Sequence, residues 1–372
     1  MLENHVIVDV THWQVRTRYP RFHANNAKIP AHGYGHSELS MLEVVTDKGA
    51  SGFGMGKFDR LIYQSLVGKR VSEVFDPAFG IKSPVYYNAD IALHDLAGKI
   101  LGISVKKMIN PNALDRIECY DGSIYQNDLF PPKAPGGVKS IIDNCKWDVE
   151  NIGFKDFKVK IGREKWLGYE AGLARDIDVI KKIREEFPTA RILVDANDSY
   201  TVDTAIKFME ATKDCDIYWF EEPFCEEEEP LRIFRQYLKE NSPHTLIADG
   251  EWAPRYFHTA ETVGHVENLA KIGLVDVLLM DTVDFGFTNW RQYMKRVAEI
   301  GVLASPHNWA NTMKTCYASH LAAAFPELVP TIEGVGDTTE GIDHSLYFFE
   351  DGLLNVPDAP GFGMELIWAR RV

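Results

Sequence analysis

The stretch FKDFKVKIGREKWLGYEAGLARDIDVIKKIREEFPTARILVDAN, residues 154–197, places a helical pattern between two short β-favouring runs. FKDFKVKIG (154–162) and RILVDAN (191–197) are short and rich in β-branched and aromatic residues, whereas EAGLARDIDVIKKIREEF (170–187) repeats its apolar positions at spacings of three and four. Strand, helix, strand in that order is a parallel β/α unit. The same rhythm runs on in both directions from about residue 117, through IECYDGSIY, FKDFKVKIG, RILVDAN, DIYWFEEP, TLIADGE, VDVLLMD, GVLASPHN and VPTIEGV. Helical patterns such as VDTAIKFMEAT and NWRQYMKRVAEI lie between these runs. Eight units in roughly 220 residues match an α/β fold of the (β/α)8 TIM-like barrel type. A doubly wound open sheet is the alternative, but no GxGxxG follows the early strands.

The remaining chain divides around this core. Residues 1–115 read as an α+β domain, with strand patterns at HVIVDVTHWQV and SMLEVVTDKGASGFGMG, the second broken by turn residues. NADIALHDLAGKILGISVKKMI is the clearest helix there, with Gly102 as its stop. Residues 116–340 form the barrel. The segment 341–372, which holds the turn-rich YFFEDGLLNVPDAPGFGMEL, is expected to pack back on the amino-terminal domain.

Composition narrows the function classes. The chain has 372 residues, 45% hydrophobic and 25% charged, an ordinary globular balance with ample core. A net charge of −14 argues against nucleic acid or an anionic membrane as partner, because both would be repelled at long range. The five cysteines (Cys119, Cys145, Cys215, Cys225, Cys316) stand singly without a CxxC, so core packing is their expected role rather than disulfides or a thiolate metal site. MLENHVIVDVTHWQVRTRY alternates polar and apolar residues and lacks the apolar core of a secretory leader, so a cytoplasmic protein is expected.

In a barrel of this type chemistry belongs at the carboxyl ends of the strands. Those ends are polar here: Lys158 and Lys160 on the second run, Asp195 and Asn197 on the third, Glu221 and Glu222 on the fourth, Asp249 and Glu251 on the fifth, Asp281 on the sixth, His307 and Asn308 on the seventh, and Glu333 on the eighth. Three successive carboxylate-bearing strands cannot all stay ionised in one mouth without a compensating cation. Oxygen-only donors favour magnesium over zinc. Asp195, Glu221 and Glu251 are the expected ligands, with Asp249 as rival for the third position. Period-two alternation sends Glu222 to the opposite face, towards a structural salt bridge, and the run Glu226 to Glu229 reads as a solvated loop.

This ordered set, KxK on the second strand, Asp on the third, EEP on the fourth, GE on the fifth, Asp on the sixth and His on the seventh, resembles the mandelate racemase subgroup of the enolase superfamily. NADIALHDLAGK is similar to that family's capping-domain helix, and PGFGMEL to its carboxyl-terminal signature. The resemblance implies a capping domain over the barrel, Mg2+ as cofactor, and abstraction of the proton alpha to a carboxylate. It also implies Lys160 as general base, Lys158 as the cation that binds the substrate carboxylate, and His307 with Asp281 as an acid-base dyad. Asp284 rivals Asp281, because the sixth-strand alignment needs a one-residue gap. Asn197 and Glu333 are expected to contact substrate.

The lysine pair supplies its own physical reason. Two ammonium groups roughly 6 to 7 Å apart, at an effective dielectric near 20, repel by about 2.5 kcal/mol, or nearly two pK units. The expected metal pushes in the same direction, so Lys160 is expected to drop towards neutrality and act as a base while Lys158 stays protonated.

SPHNW after the seventh strand resembles the acid-sugar dehydratases, and the absence of a sixth-strand lysine argues against the cycloisomerase and dipeptide epimerase branches. The expected activity is dehydration of an aldonate, aldarate or uronate to a 2-keto-3-deoxy acid. A racemase or epimerase of 2-hydroxy acids, or a non-catalytic barrel that binds metal and small anions, are the alternatives. The loop RFHANNAKIPAHGYGH (21–36) offers His23, Asn25, Asn26, Lys28 and Tyr34 to substrate hydroxyls. The expected partner is a small-molecule carboxylate, with no nucleic acid or membrane, and a homo-oligomer is expected.

Overall fold

A computed structural model describes residues 1–35, 38–251, 260–367 and 370–371, excepting the side chains of 260–262, 370 and 371. His36 of the amino-terminal loop, and 368–369 and 372 of the last segment, lie outside the described residues.

Among the described residues eight short strands run parallel around a ring: Arg116–Ile124, Phe157–Lys160, Ile192–Asp195, Ile217–Glu221, Leu246–Asp249, Val277–Leu278, Leu303–Ala304 and Ile332–Gly334. The eighth pairs with the first, and the seventh is tied to the chain leading into the eighth by the Ala304 N–H to Leu328 carbonyl bond at 2.8 Å. Each strand is joined to the next by helical chain, as in Tyr169–Glu186 between the second and third.

Alternation decides which side chains reach the interior. Phe157 and Val159 belong to the large core between strands and helices, and so do Ile192 and Val194. Leu193, Trp219, Ala248, Val277 and Leu279 instead form a small apolar plug with Tyr120, whose ring meets Trp219 edge-on at 5.2 Å between centroids. Lys158 and Lys160 share that inward face, and the Lys158 ammonium lies 5.8 Å from the Tyr120 ring centre. The plug closes the barrel floor, so the polar residues gather at the mouth.

The amino-terminal sheet is an antiparallel meander of Ile7–Arg18, Leu39–Thr46 and Ser51–Met55, covered by the helix Asp90–Leu101. That helix packs so closely on the third strand that a Cβ on Gly52 would lie 2.2 Å from the Leu96 backbone nitrogen. It stops at Gly102, which takes the left-handed conformation at φ 70°, and Ser104 then caps the separate short helix Val105–Ile109. The expected stop is thus where the sequence placed it, but the stretch forms two helices.

The carboxyl-terminal chain ties both parts together. Thr338–Glu340 and Arg370–Arg371 each pair antiparallel with Ile7–Arg18, while Leu353–Asn355 pairs with the first barrel strand. Phe362 is fully buried against Phe287, Tyr317 and His320. The cysteines are free; four are buried, but Cys225, expected in the core, is exposed in the loop after the fourth strand, where no apolar layer covers the chain. No helix among the described residues is long and apolar enough to cross a membrane.

Asp95 joins these segments at one carboxylate. It accepts the N–H groups of Phe53 at 3.0 Å and Phe362 at 2.9 Å, and pairs with Lys99 at 2.8 Å. Asp95→Ala strands two buried donors, each costing about 1 to 3 kcal/mol. It should therefore lower the urea midpoint by an amount equivalent to about 2 to 6 kcal/mol, and a change under about 0.5 kcal/mol would contradict this junction.

Candidate active site

Register builds the centre of the mouth. Lys160 lies beside Asp195, Asp195 beside Glu221, and Glu221 beside Ala248 on successive strands. Neighbouring strands are about 4.8 Å apart, so in-register carboxylates face one another side by side. Asp195, Glu221 and Glu251 each present a donor atom within 4.8 Å of the others. Asp195 and Glu221 are fully buried, and among the described residues Glu221 Oε2 and Glu251 Oε2 are buried without a hydrogen-bond partner. Three converging buried or half-buried carboxyl groups with oxygens left over are the arrangement a hard divalent cation such as Mg2+ satisfies, so the residues present fit the implied ion.

Asp249 is also fully buried, but its Oδ1 accepts the Gly250 N–H at 2.6 Å and it stands outside the trio. Burial first, then Glu226 and Asp198, push its carboxyl well above the usual range. Glu222 departs from the expected opposite face. Its φ of 40° breaks strand alternation immediately after Glu221, and its carboxylate receives the Asn197 amide at 3.2 Å and lies 3.8 Å from the Lys28 ammonium. Glu227 to Glu229 are exposed, and Glu226 is partly covered near Asp249.

The lysines point inward together. The Lys158 ammonium is 2.5 Å from Glu221 Oε1, 2.9 Å from Glu333 Oε1 and 3.7 Å from Asp195 Oδ2, while Lys160 pairs with Asp195. Burial disfavours both charges, yet Asp195 raises Lys160, and Glu221 with Glu333 raises Lys158 further. Unless Asp195 is engaged by a cation, the flanking carboxylates outweigh the like-charge repulsion between the lysines, so the expected drop of Lys160 depends on the ion as well as on Lys158. Glu221, by burial and then by Asp195 and Glu333 against the pull of the lysines, is pushed up to about 8. Arg163, fully buried between Asp128 and Asp176, donates to the Lys160 carbonyl at 2.9 Å and fixes the backbone beneath that side chain.

Across the ring, Asp281 and His307 form an isolated parallel bridge, with His307 Nδ1 3.3 Å from Asp281 Oδ2. His307 Nε2 faces Glu251 at 3.4 Å and Glu333 at 3.6 Å. Burial opposes a charge on this ring, but Glu251, Glu333 and Asp281 together raise it. Asp281 Oδ2 also receives Lys314 at 2.6 Å, and its Oδ1 accepts the Asp284 N–H at 3.0 Å. Asp284 is therefore a support for Asp281 rather than its substitute.

Glu333 is ionised. Burial is overcome by Lys158 and His307, which hold it near 2, and the Asn308 N–H donates to it at 2.9 Å. Gly122 makes room: a Cβ there would come within 2.3 Å of Glu333 Oε1.

The amino-terminal loop arrives over this mouth with mixed results for its expected contacts. Lys28 reaches Asp198 at 2.7 Å, and His23 is buried in an aromatic stack with Tyr19, Tyr125 and Trp309. Asn26 instead closes its own turn by accepting the Lys28 and Ile29 N–H groups, the Asn25 carbonyl accepts the Gln126 N–H, and Tyr34 is 65% exposed. Sequence reasoning missed Lys314 and the aromatic residues. Lys314 sits in the helix Thr312–Ala324, nearly all of which is buried, so no polar stripe marks it out.

Residues 141–370 match the family model for enolase C-terminal domain-like proteins. The chain is 28% identical over 301 residues to a D-galactarolactone cycloisomerase from Agrobacterium fabrum, covering 77% of this chain and 72% of that one. It is 28% identical over 279 residues to an arabinonate dehydratase from Saccharolobus solfataricus, covering 74% and 67%. A solved galacturonate dehydratase from Geobacillus sp., complexed with D-galacturonate and 5-keto-4-deoxy-D-galacturonate, superposes with a TM-score of 0.86 at 25% identity over 98% of this chain and 95% of that one.

Magnesium titration by calorimetry tests the cation cluster. Glu221→Gln and Glu251→Gln should each weaken binding by at least about tenfold, whereas Asp249→Asn should change it by less than about threefold. Equal losses for all three would contradict the assignment.

Proposed function

The chain belongs to the enolase superfamily, in its mandelate racemase subgroup, and on that premise we propose that it is a divalent-metal-dependent dehydratase of acid sugars. The observation that carries this reading is the placing of Lys160 and the His307–Asp281 pair on different sides of one acid cluster. A bound Mg2+ on Asp195, Glu221 and Glu251 would supply positive charge where a substrate carboxylate gains electron density.

The chain's own groups perform the rest. Once Asp195 is committed to a cation, it no longer holds the Lys160 ammonium, and burial together with Lys158 then favours the neutral amine. Lys160 takes the proton alpha to the carboxylate. Lys158 stays charged through Glu333 and faces the developing negative charge. His307, held by Asp281 at Nδ1, presents Nε2 to protonate the departing β-hydroxyl, and the resulting enol becomes the 2-keto-3-deoxy acid. Lys314 keeps Asp281 ionised throughout.

The relatives support the acid-sugar substrate class, because the curated dehydratase and the solved dehydratase both act on such acids by name. The likeness to a galactarolactone cycloisomerase favours a second reading, isomerisation of an acid-sugar lactone begun by the same proton abstraction. Incubation with aldonates, aldarates and uronates plus Mg2+, with semicarbazide detection of 2-keto acids, separates the two. Solvent deuterium uptake without keto acid would favour isomerisation or racemisation.

Lys160→Ala and His307→Asn should each reduce kcat by about 10² to 10⁴-fold while magnesium affinity stays within a few-fold. Near-normal turnover by either variant would refute its assigned role.

A further inference from the structure

The Asp281 carboxylate owes its direction to a turn that the amino-terminal domain grips across the domain boundary. Its Oδ1 accepts the Val283 N–H at 2.9 Å and the Asp284 N–H at 3.0 Å, and the Phe285 N–H donates to the Asp281 carbonyl at 3.0 Å. Tyr87 lies in the turn Pro84–Ala89 that leads into the helix Asp90–Leu101, and its hydroxyl donates to the carbonyls of Val283 and Asp284. The Val283 carbonyl and the Asp284 N–H belong to one planar peptide group. That unit is therefore held at both ends, by Tyr87 on its oxygen and by Asp281 on its hydrogen. A carbonyl that accepts a hydrogen bond polarises its own peptide and makes the N–H a stronger donor. The Tyr87 hydroxyl thus both aims and strengthens a bond to the Asp281 carboxylate.

The tyrosine ring has a fitted seat. Gly286 holds φ at 98°, and a Cβ there would come within 2.5 Å of Tyr87 Cε2. Burial, followed by Asp90, Asp284 and Asp281, raises the phenol, so it stays a donor. On the other side of the same carboxylate, Oδ2 meets His307 Nδ1 at 3.3 Å and Lys314 at 2.6 Å, and the Thr282 N–H donates to the His307 carbonyl at 3.0 Å. A swing of the turn 282–284 would therefore be felt at His307. We propose that Tyr87 is a positioning residue for the His307–Asp281 pair, acting through this turn to keep the Asp281 carboxylate aligned with His307 Nδ1. The inference rests on the reading of that pair as the acid-base partner of Lys160.

Tyr87→Phe keeps the ring and removes the donor. With Mg2+ present, proton NMR of wild type should show a slowly exchanging imidazole N–H that disappears in His307→Asn, and in Tyr87→Phe this proton should exchange with water at least about fivefold faster. On an acid that the screen shows to be turned over, Tyr87→Phe should raise the ratio of deuterium returned to substrate over keto acid formed at least about fivefold, because the deprotonated substrate waits longer for its acid. KM and magnesium affinity should change by less than about threefold. A hydroxyl that served only to hold the two domains together would lower both rates alike and leave the ratio where it was. Circular dichroism melts check the fold, and if Tyr87→Phe melts early, Gly286→Ala, which crowds the ring, carries the same measurements. An absent His307 signal in wild type, an unchanged one in the folded variant, or an unchanged ratio overturns the proposal, and keto-acid formation alongside any of these leaves the dehydratase standing. Faster exchange at His307 in a chain that turns over no acid would support the clamp and remove the dehydratase.

Discussion

Crowding of like charge is the constraint from which the rest of this molecule follows. Asp195, Glu221, Glu222, Glu251, Asp281 and Glu333 meet at one mouth, and five of the six are at most 7% exposed. Such a set stands only if cations reach it from several directions. Lys158 and Lys160 rise from below, Lys314 comes from a barrel helix, and Lys28 comes from the amino-terminal loop. Among the described residues Glu221 Oε2 and Glu251 Oε2 are left without a hydrogen-bond partner, on two of the three acids of the ion cluster.

The same electrostatics explains why the two lysines behave differently from a simple pair. Considered alone they repel, and one should lose its proton. Placed against Asp195, Glu221 and Glu333 they become counterions, and both are held charged. Their basicity therefore depends on how far those acids are engaged elsewhere. In the proposed reaction this would couple ion binding to proton transfer through side chains on adjacent strands.

Much of this was legible in the chain before any coordinates, because strand and helix periods differ and because a barrel exposes strand ends. The eight runs, the Gly102 stop and the inward pairing of Lys158 with Lys160 all follow from local spacing. Residues that depend on tertiary approach were not legible. Lys314 lies on a helix buried all round, Glu222 turns through a positive φ that alternation cannot foresee, and the balance of charge around Lys160 needs distances rather than order. His23 could be suspected from its loop, but its burial in a ring stack is set by Tyr19, Tyr125 and Trp309, up to 286 positions away in the chain.

The strand Ile7–Arg18 is flanked on one side by its early neighbour Leu39–Thr46 and elsewhere by Thr338–Glu340 and Arg370–Arg371. During synthesis, then, this strand leaves the ribosome long before two of its partners. Until they emerge, its ladder groups stay open to water or to other nascent chains. Assembly of the amino-terminal sheet is thus completed only after translation has passed the barrel strands.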